Sequence, residues 1–152
     1  VAVVLPTSRL EAFLAALAQV ERAVGIEGVR AIYDHPPENL AALPAVVNSA
    51  ATGSWEEPGW GMVETQRQHE IDVFEVYVFS DQTDALRART QLLPIKDALR
   101  RLVNGHKTMH GACRDCRVTS WRMGVLEYAE QNYYGLVVAG EVRCDLAGNF
   151  AA

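Results

Sequence analysis

The stretch His69 to Phe79 reads His-Glu-Ile-Asp-Val-Phe-Glu-Val-Tyr-Val-Phe, and it constrains the fold more than any other segment. Alternating β-branched and aromatic residues predict a strand, with Ile71, Val73, Tyr77 and Phe79 on one face and Phe74, Val76 and Val78 on the other. Its second half is apolar on both faces. Such a strand must be covered on two sides, one by helices and the other by more of this chain or by a neighbouring subunit. Glu70, Asp72 and Glu75 are expected to be solvated, with Glu75 on the opposite face from the other two, and none of them is assigned as a general acid or base.

The other elements follow from the same kind of reading. Ser8 and Glu11 have capping-box spacing, Leu10, Phe13, Leu14, Leu17 and Val24 recur at helical intervals, and Gly25 stands where a left-handed C-terminal residue belongs. A short strand is expected from Val29 to Tyr33, ended by Pro36 and Pro37, and another from Ala45 to Ala51. A helix is expected from Gln82 to Val103, capped by Asp81 or Ser80, kinked or divided at Pro94 and stopped by Asn104 and Gly105. Cys116 to Met123 predicts a strand with Cys116, Val118 and Ser120 on one face and Arg117, Thr119 and Trp121 on the other. Tyr134 to Cys144 predicts the last strand, with Gly135 and Gly140 as bulges or points of close approach, and the residues from Gly124 to Tyr133 are a hairpin connection or an extension of the strand before. The order predicts one α+β domain over residues 1–152, a mainly antiparallel sheet with two principal helices on one face.

Between Thr52 and Gln68 the composition changes. Gly53, Pro58, Gly59 and Gly61 accompany Trp55, Trp60, Glu56 and Glu57, which predicts a long projecting loop over 52–68. Tryptophans on such a loop are costly to leave in water, so a partner or the edge of the sheet should cover them.

The chain has 152 residues, of which 49% are hydrophobic, enough for one core. It shows neither an apolar stretch of membrane-spanning length nor the basic flank and cleavage site of a signal peptide at Val1 to Leu5. Three cysteines make no disulfide framework and fit a reducing compartment. The net charge of -5 argues against general nucleic-acid affinity. Nine of the fourteen basic residues nevertheless fall between Arg87 and Arg122, among only two acids, Asp97 and Asp115. Basic and acidic surfaces on one chain allow copies to join head to tail; interleaving of the charges on a solvated surface is the alternative. Arg87, Arg89, Arg100 and Arg101 are the candidate interface cations, because arginine suits interfaces better than lysine does.

Catalytic signatures are missing. The sequence holds no GxSxG, HExxH, GxGxxG or GxxxxGK[ST] pattern, so neither catalysis nor a cofactor is expected. His106, His110, Cys113 and Cys116 offer zinc-type ligands, but four ligands so close together leave little chain to wrap an ion, and Cys116 points inward on a strand. Loop histidines and structural cysteines are the preferred reading, with a small zinc-binding regulatory module as the alternative.

The amphipathic first helix, the strand entry Leu43-Pro44-Ala45-Val46-Val47, the strand Ile71 to Phe79, the helix segment Leu93-Pro94-Ile95-Lys96-Asp97-Ala98-Leu99 and the closing Tyr133-Tyr134-Gly135 together resemble the tail terminator, or tail-completion, proteins of long-tailed bacteriophages and related particles. The resemblance covers most of the chain, and the Cys and His cluster is not part of it. It implies a structural virion protein, made in the bacterial cytoplasm and placed at the tail–neck junction. Such a subunit forms a ring, usually hexameric, that caps the tail tube, stops its polymerisation and joins it to the head connector. Implied partners are sister copies, the tube protein and the connector; DNA only passes through the lumen, and no membrane is involved. Another head–tail neck protein is the nearest alternative.

Overall fold

A computed structural model of the chain describes residues 8–56 and 69–145. Helix α1 spans Arg9–Val24; Ser8 caps it, its side chain accepting from the Leu10 amide, and Gly25 leaves it with φ 75°. The short strand β1, Ala31–Tyr33, and the long strand β2, Ala45–Glu56, run parallel, Ala31 beside Ala45 and Tyr33 beside Val47. Strand β3, His69–Phe79, helix α2, Ala85–Gly105, and strands β4, Asp115–Tyr128, and β5, Gln131–Asp145, complete the order. The sheet runs β1-β2-β3-β5-β4, antiparallel apart from its first pair. The expected α+β class with helices on one face is what the chain adopts.

The core lies between the helices and one sheet face. Phe13, Leu17, Leu92 and Leu99 meet Phe74, Val76, Val78, Leu136, Val138 and Val142, all fully or almost fully buried. The Phe13 and Phe74 rings lie 5.0 Å apart and tilted. Gly140 is needed at this packing: a Cβ there would stand 2.4 Å from the Arg117 carbonyl oxygen and 2.5 Å from Phe74. On the opposite face Phe79 is buried under the edges of Tyr128 and Tyr133, at centroid distances of 5.2 and 5.5 Å. The Tyr128 hydroxyl donates to the Pro37 carbonyl, so the segment joining β1 to β2 reaches across that end of the sheet. The far cover of β3 thus comes from this chain at the Phe79 end, while Val73 and Tyr77 stay half-buried.

Several expectations are corrected. The loop foreseen over 52–68 is overturned in its first part, because Thr52 to Glu56 continue β2 and pair with His69 to Val73 after a register shift at Ala50/Thr52; its remainder, 57–68, lies outside the described residues. Thr, Ser and Trp are strand-compatible, and the pairing satisfies backbone groups that a loop would leave to water. Helix α2 starts at Ala85 with Asp84, not Asp81 or Ser80, as its cap, and it runs through Pro94 to Gly105 as one element. Val24, expected on the apolar stripe of α1, is 58% exposed; Val20 and Glu21 take the buried positions instead. The alternation expected for β4 fails after a bulge at Val118/Ser120, which moves Trp121 onto the face of Cys116 and Val118. Asp72, expected in solvent, is 4% exposed.

Candidate assembly surface

The residues that sequence reading singled out separate into two regions at opposite sides of the sheet. Trp55 lies near the end of β2, 66% exposed, its indole Nε1 donating to Glu70 Oε1 at 3.0 Å. Glu56 ends the strand opposite His69. Glu57 and Trp60 lie outside the described residues. Arg87, Arg89, Arg100 and Arg101 are all exposed on α2. Arg87 stands 3.9 Å from Asp84, and Arg101 Nε donates to the Asp97 carbonyl at 3.5 Å. The structure therefore does not bring the tryptophan-bearing hairpin and the α2 arginines together within one subunit.

The basic window is divided. On the face away from the helices, the β4 arginines meet acids of neighbouring strands: Arg117 with Glu141 at 3.0 Å, Arg122 with Glu75 at 4.0 Å. Arg114, just before β4, stands 3.4 Å from Asp145. This part interleaves with acids as the alternative reading held. Exposed pairs of this kind contribute about 0–1 kcal/mol each. On the helix side the arrangement differs. Arg89, Lys96 and Arg100 fall on one stripe of α2 by helical spacing, and Lys96 Nζ sits 4.6 Å from the centroid of the Trp121 ring.

Beside that stripe, between α2 and β4, lies an apolar groove of about 420 Å³ lined by Ala88, Leu92, Leu93, Trp121, Met123 and Val125. Trp121, Val125 and Leu86 are 51%, 63% and 69% exposed. Sequence reading puts Trp121 on the other face because the bulge in β4 reverses the phase of the strand and no residue type at the bulge announces it, while Val125 lies in the segment read as a hairpin connection or an extension of the strand. At the other side of the sheet a second groove, about 540 Å³, runs between α1 and β2, with Ala12, Leu14, Ala15 and Pro36 as walls and Glu11 and Asp34 at its margin.

Among the described residues both outer sheet edges lack strand partners over most of their length. β1 covers β2 only from Ala45 to Val47, so the β2 backbone from Asn48 to Glu56 has no neighbour on that side among the described residues. Among the described residues β4 pairs only with β5, and no strand lies on its other edge along Asp115–Tyr128, where Lys107 Nζ donates to the Cys116 carbonyl at 3.4 Å. Open edges of this length are templates for pairing with another chain.

Behind the β2 groove lies a buried polar cluster. Asn48 Nδ2 donates to Glu21 Oε1 at 2.6 Å and to the Tyr33 carbonyl at 3.0 Å, tying α1, β1 and β2 together. Burial raises the Glu21 carboxyl to a pKa of about 7, against smaller lowering contributions from Asn48 and Arg22. Asp72 is likewise raised to about 7, by burial and by the neighbouring Glu70; its Oδ1 would be 2.0 Å from a Cβ on Gly53. The Glu21 and Asn48 contact ties α1 to β2, and Asp72 lies beside Glu70 and close to the Cys144 thiol.

The zinc-type residues are not arranged as a ligand set. Cys113 and Cys116 are buried, and their thiols donate to the carbonyls of Lys107 and His106 at 3.4 and 3.5 Å. His106 Nδ1 is held 2.8 Å from the Leu102 carbonyl, while His110 is exposed and stacks edge-on to His106 at 5.7 Å. Among the described residues no three His, Cys, Asp or Glu side chains gather to hold an ion. No helix there is long and apolar enough to cross a membrane.

Compared with known protein families and with curated proteins, the chain matches none.

Proposed function

We propose that this chain is the tail terminator of a long-tailed bacteriophage or related particle, a structural subunit that closes into a ring on the end of the tail tube and joins it to the head connector. The observation that carries the reading is the pair of open edges at opposite sides of one sheet. β2 is antiparallel to β3, β3 to β5 and β5 to β4, so the two edge strands run in opposite directions. A second copy placed head to tail therefore meets the first with antiparallel edges, the more favourable hydrogen-bonding arrangement. The contacting surfaces are different patches of the same chain, and such a heterologous contact yields a ring if the rotation closes.

The two ends of the subunit have distinct jobs in this reading. The β2–β3 hairpin, with Trp55 and Glu56 before the connecting residues 57–68, is the docking element for tube or connector. The acid surplus suits a lumen along which DNA slides, because phosphates are not retained there. Size-exclusion chromatography with light scattering tests the reading at low and moderate salt. A single species at a fixed multiple of the 16.7 kDa chain mass supports it, and a strict monomer at high concentration contradicts it.

A further inference from the structure

Resting on the ring reading, we infer that the two grooves are the halves of one subunit contact: the β4 edge of one copy, led by Trp121 and Val125, enters the groove between α1 and the open edge of β2 in the next. Four observations converge on this occupant.

The first is the vacant lane. β1 leaves β2 after Tyr33 pairs with Val47, and the groove of about 540 Å³ begins alongside Asn48, Ser49 and Ala50, where β1 would have continued. An extended strand there finds unpaired β2 backbone on one side and the apolar wall of Ala12, Leu14 and Ala15 on the other. The second is the material presented by β4. It is an extended strand with an open edge, and its exposed Trp121 and Val125 point to the same side of the sheet as the helices. When β4 pairs with β2 of the next copy, those side chains fall on the side where the α1 wall stands.

The third is level. Asn48 pairs with Val76, Val76 with Val138 and Val138 with Trp121, so one row crosses the sheet from the open β2 edge to the indole. Copies related by rotation about an axis along the strands bring Trp121 of one level with Asn48 of the next. The fourth is charge. The β4 side carries the Arg89, Lys96 and Arg100 stripe, with Asp97 3.3 Å from Lys96, and the β2 groove carries Glu11 and Asp34 at its margin, with His35 2.5 Å from Asp34. Joining them sets a basic flank against an acidic one and withdraws the apolar surface from water. The sets are unlike, so β4 against β4, or groove against groove, would bring like charges together.

Crosslinking with mixed variants tests this contact. Ala50→Cys and Trp121→Cys chains are prepared separately, mixed, and treated with a short bismaleimide; Cys113, Cys116 and Cys144 are buried, and the parent protein controls for them. Crosslinked dimer is expected in the mixture and not in either variant alone, because a head-to-tail contact places only one new thiol from each at the interface. Val125→Asp is expected to keep the circular dichroism of the parent and weaken assembly by about tenfold or more, as for a buried interface anchor. Parent-like assembly in Val125→Asp, with no crosslink in the mixture, overturns the contact while leaving the ring. A parent protein that is itself a monomer overturns the ring reading and the contact with it.

Discussion

Glu21 offers a test with a sign and a size. Its carboxyl is fully buried, Oε1 accepts from Asn48, and Oε2 has no partner within the described residues. The folded-state pKa of about 7, against 4.5 for the free group, means that the folded protein holds this proton more tightly than the unfolded chain does. Stability from the group is therefore complete below pH 4.5 and is lost as pH rises through 7. The shift corresponds to about 3 kcal/mol once both states are ionised, and to about 1 kcal/mol at pH 5. Glu21→Gln keeps an oxygen for the Asn48 amide and carries no charge. In urea unfolding across this range, the variant should exceed the parent by about 1 kcal/mol at pH 5 and by about 3 kcal/mol at pH 8. A variant less stable than the parent at pH 8, or an advantage that does not change between the two pH values, would mean that Glu21 is not held protonated by burial.

Gly140→Ala should destabilise by about 1–3 kcal/mol, because the new Cβ meets a backbone oxygen that cannot yield. Gly135→Ala should cost less, since its nearest obstacle is the Leu126 side chain and the closest backbone oxygen, that of Val78, is 3.0 Å away; thermal unfolding that ranks them in the reverse order contradicts this packing. A double-mutant cycle on Arg117 and Glu141 should return a coupling below about 1 kcal/mol that shrinks with salt, despite their 3.0 Å approach. A coupling of several kcal/mol that is indifferent to salt would mean that the pair is desolvated in the assembled protein.

Where periodicity was unbroken, the sequence was readable. Phe74, Val76 and Val78 marked the inner face of β3, and Ser8 and Gly25 marked the ends of α1, because strand alternation and cap chemistry act locally. Errors came where one residue changed the count or where a distant segment supplied the pairing. The β4 bulge moved Trp121 to the other face, and with it the residue now central to the proposed contact. The Gly53 and Trp55 segment reads as loop by composition but is held as strand by β3. No local pattern marks Glu21 for burial, which depends on Asn48, brought to it by tertiary packing. The open edges are a property of strand order, which no local pattern encodes.

Electron micrographs of the purified protein in negative stain test ring closure itself. Closed rings of one diameter with cyclic symmetry and a central hole are expected. Uniformly dispersed single subunits, or two-fold dimers joined through like surfaces, would contradict it.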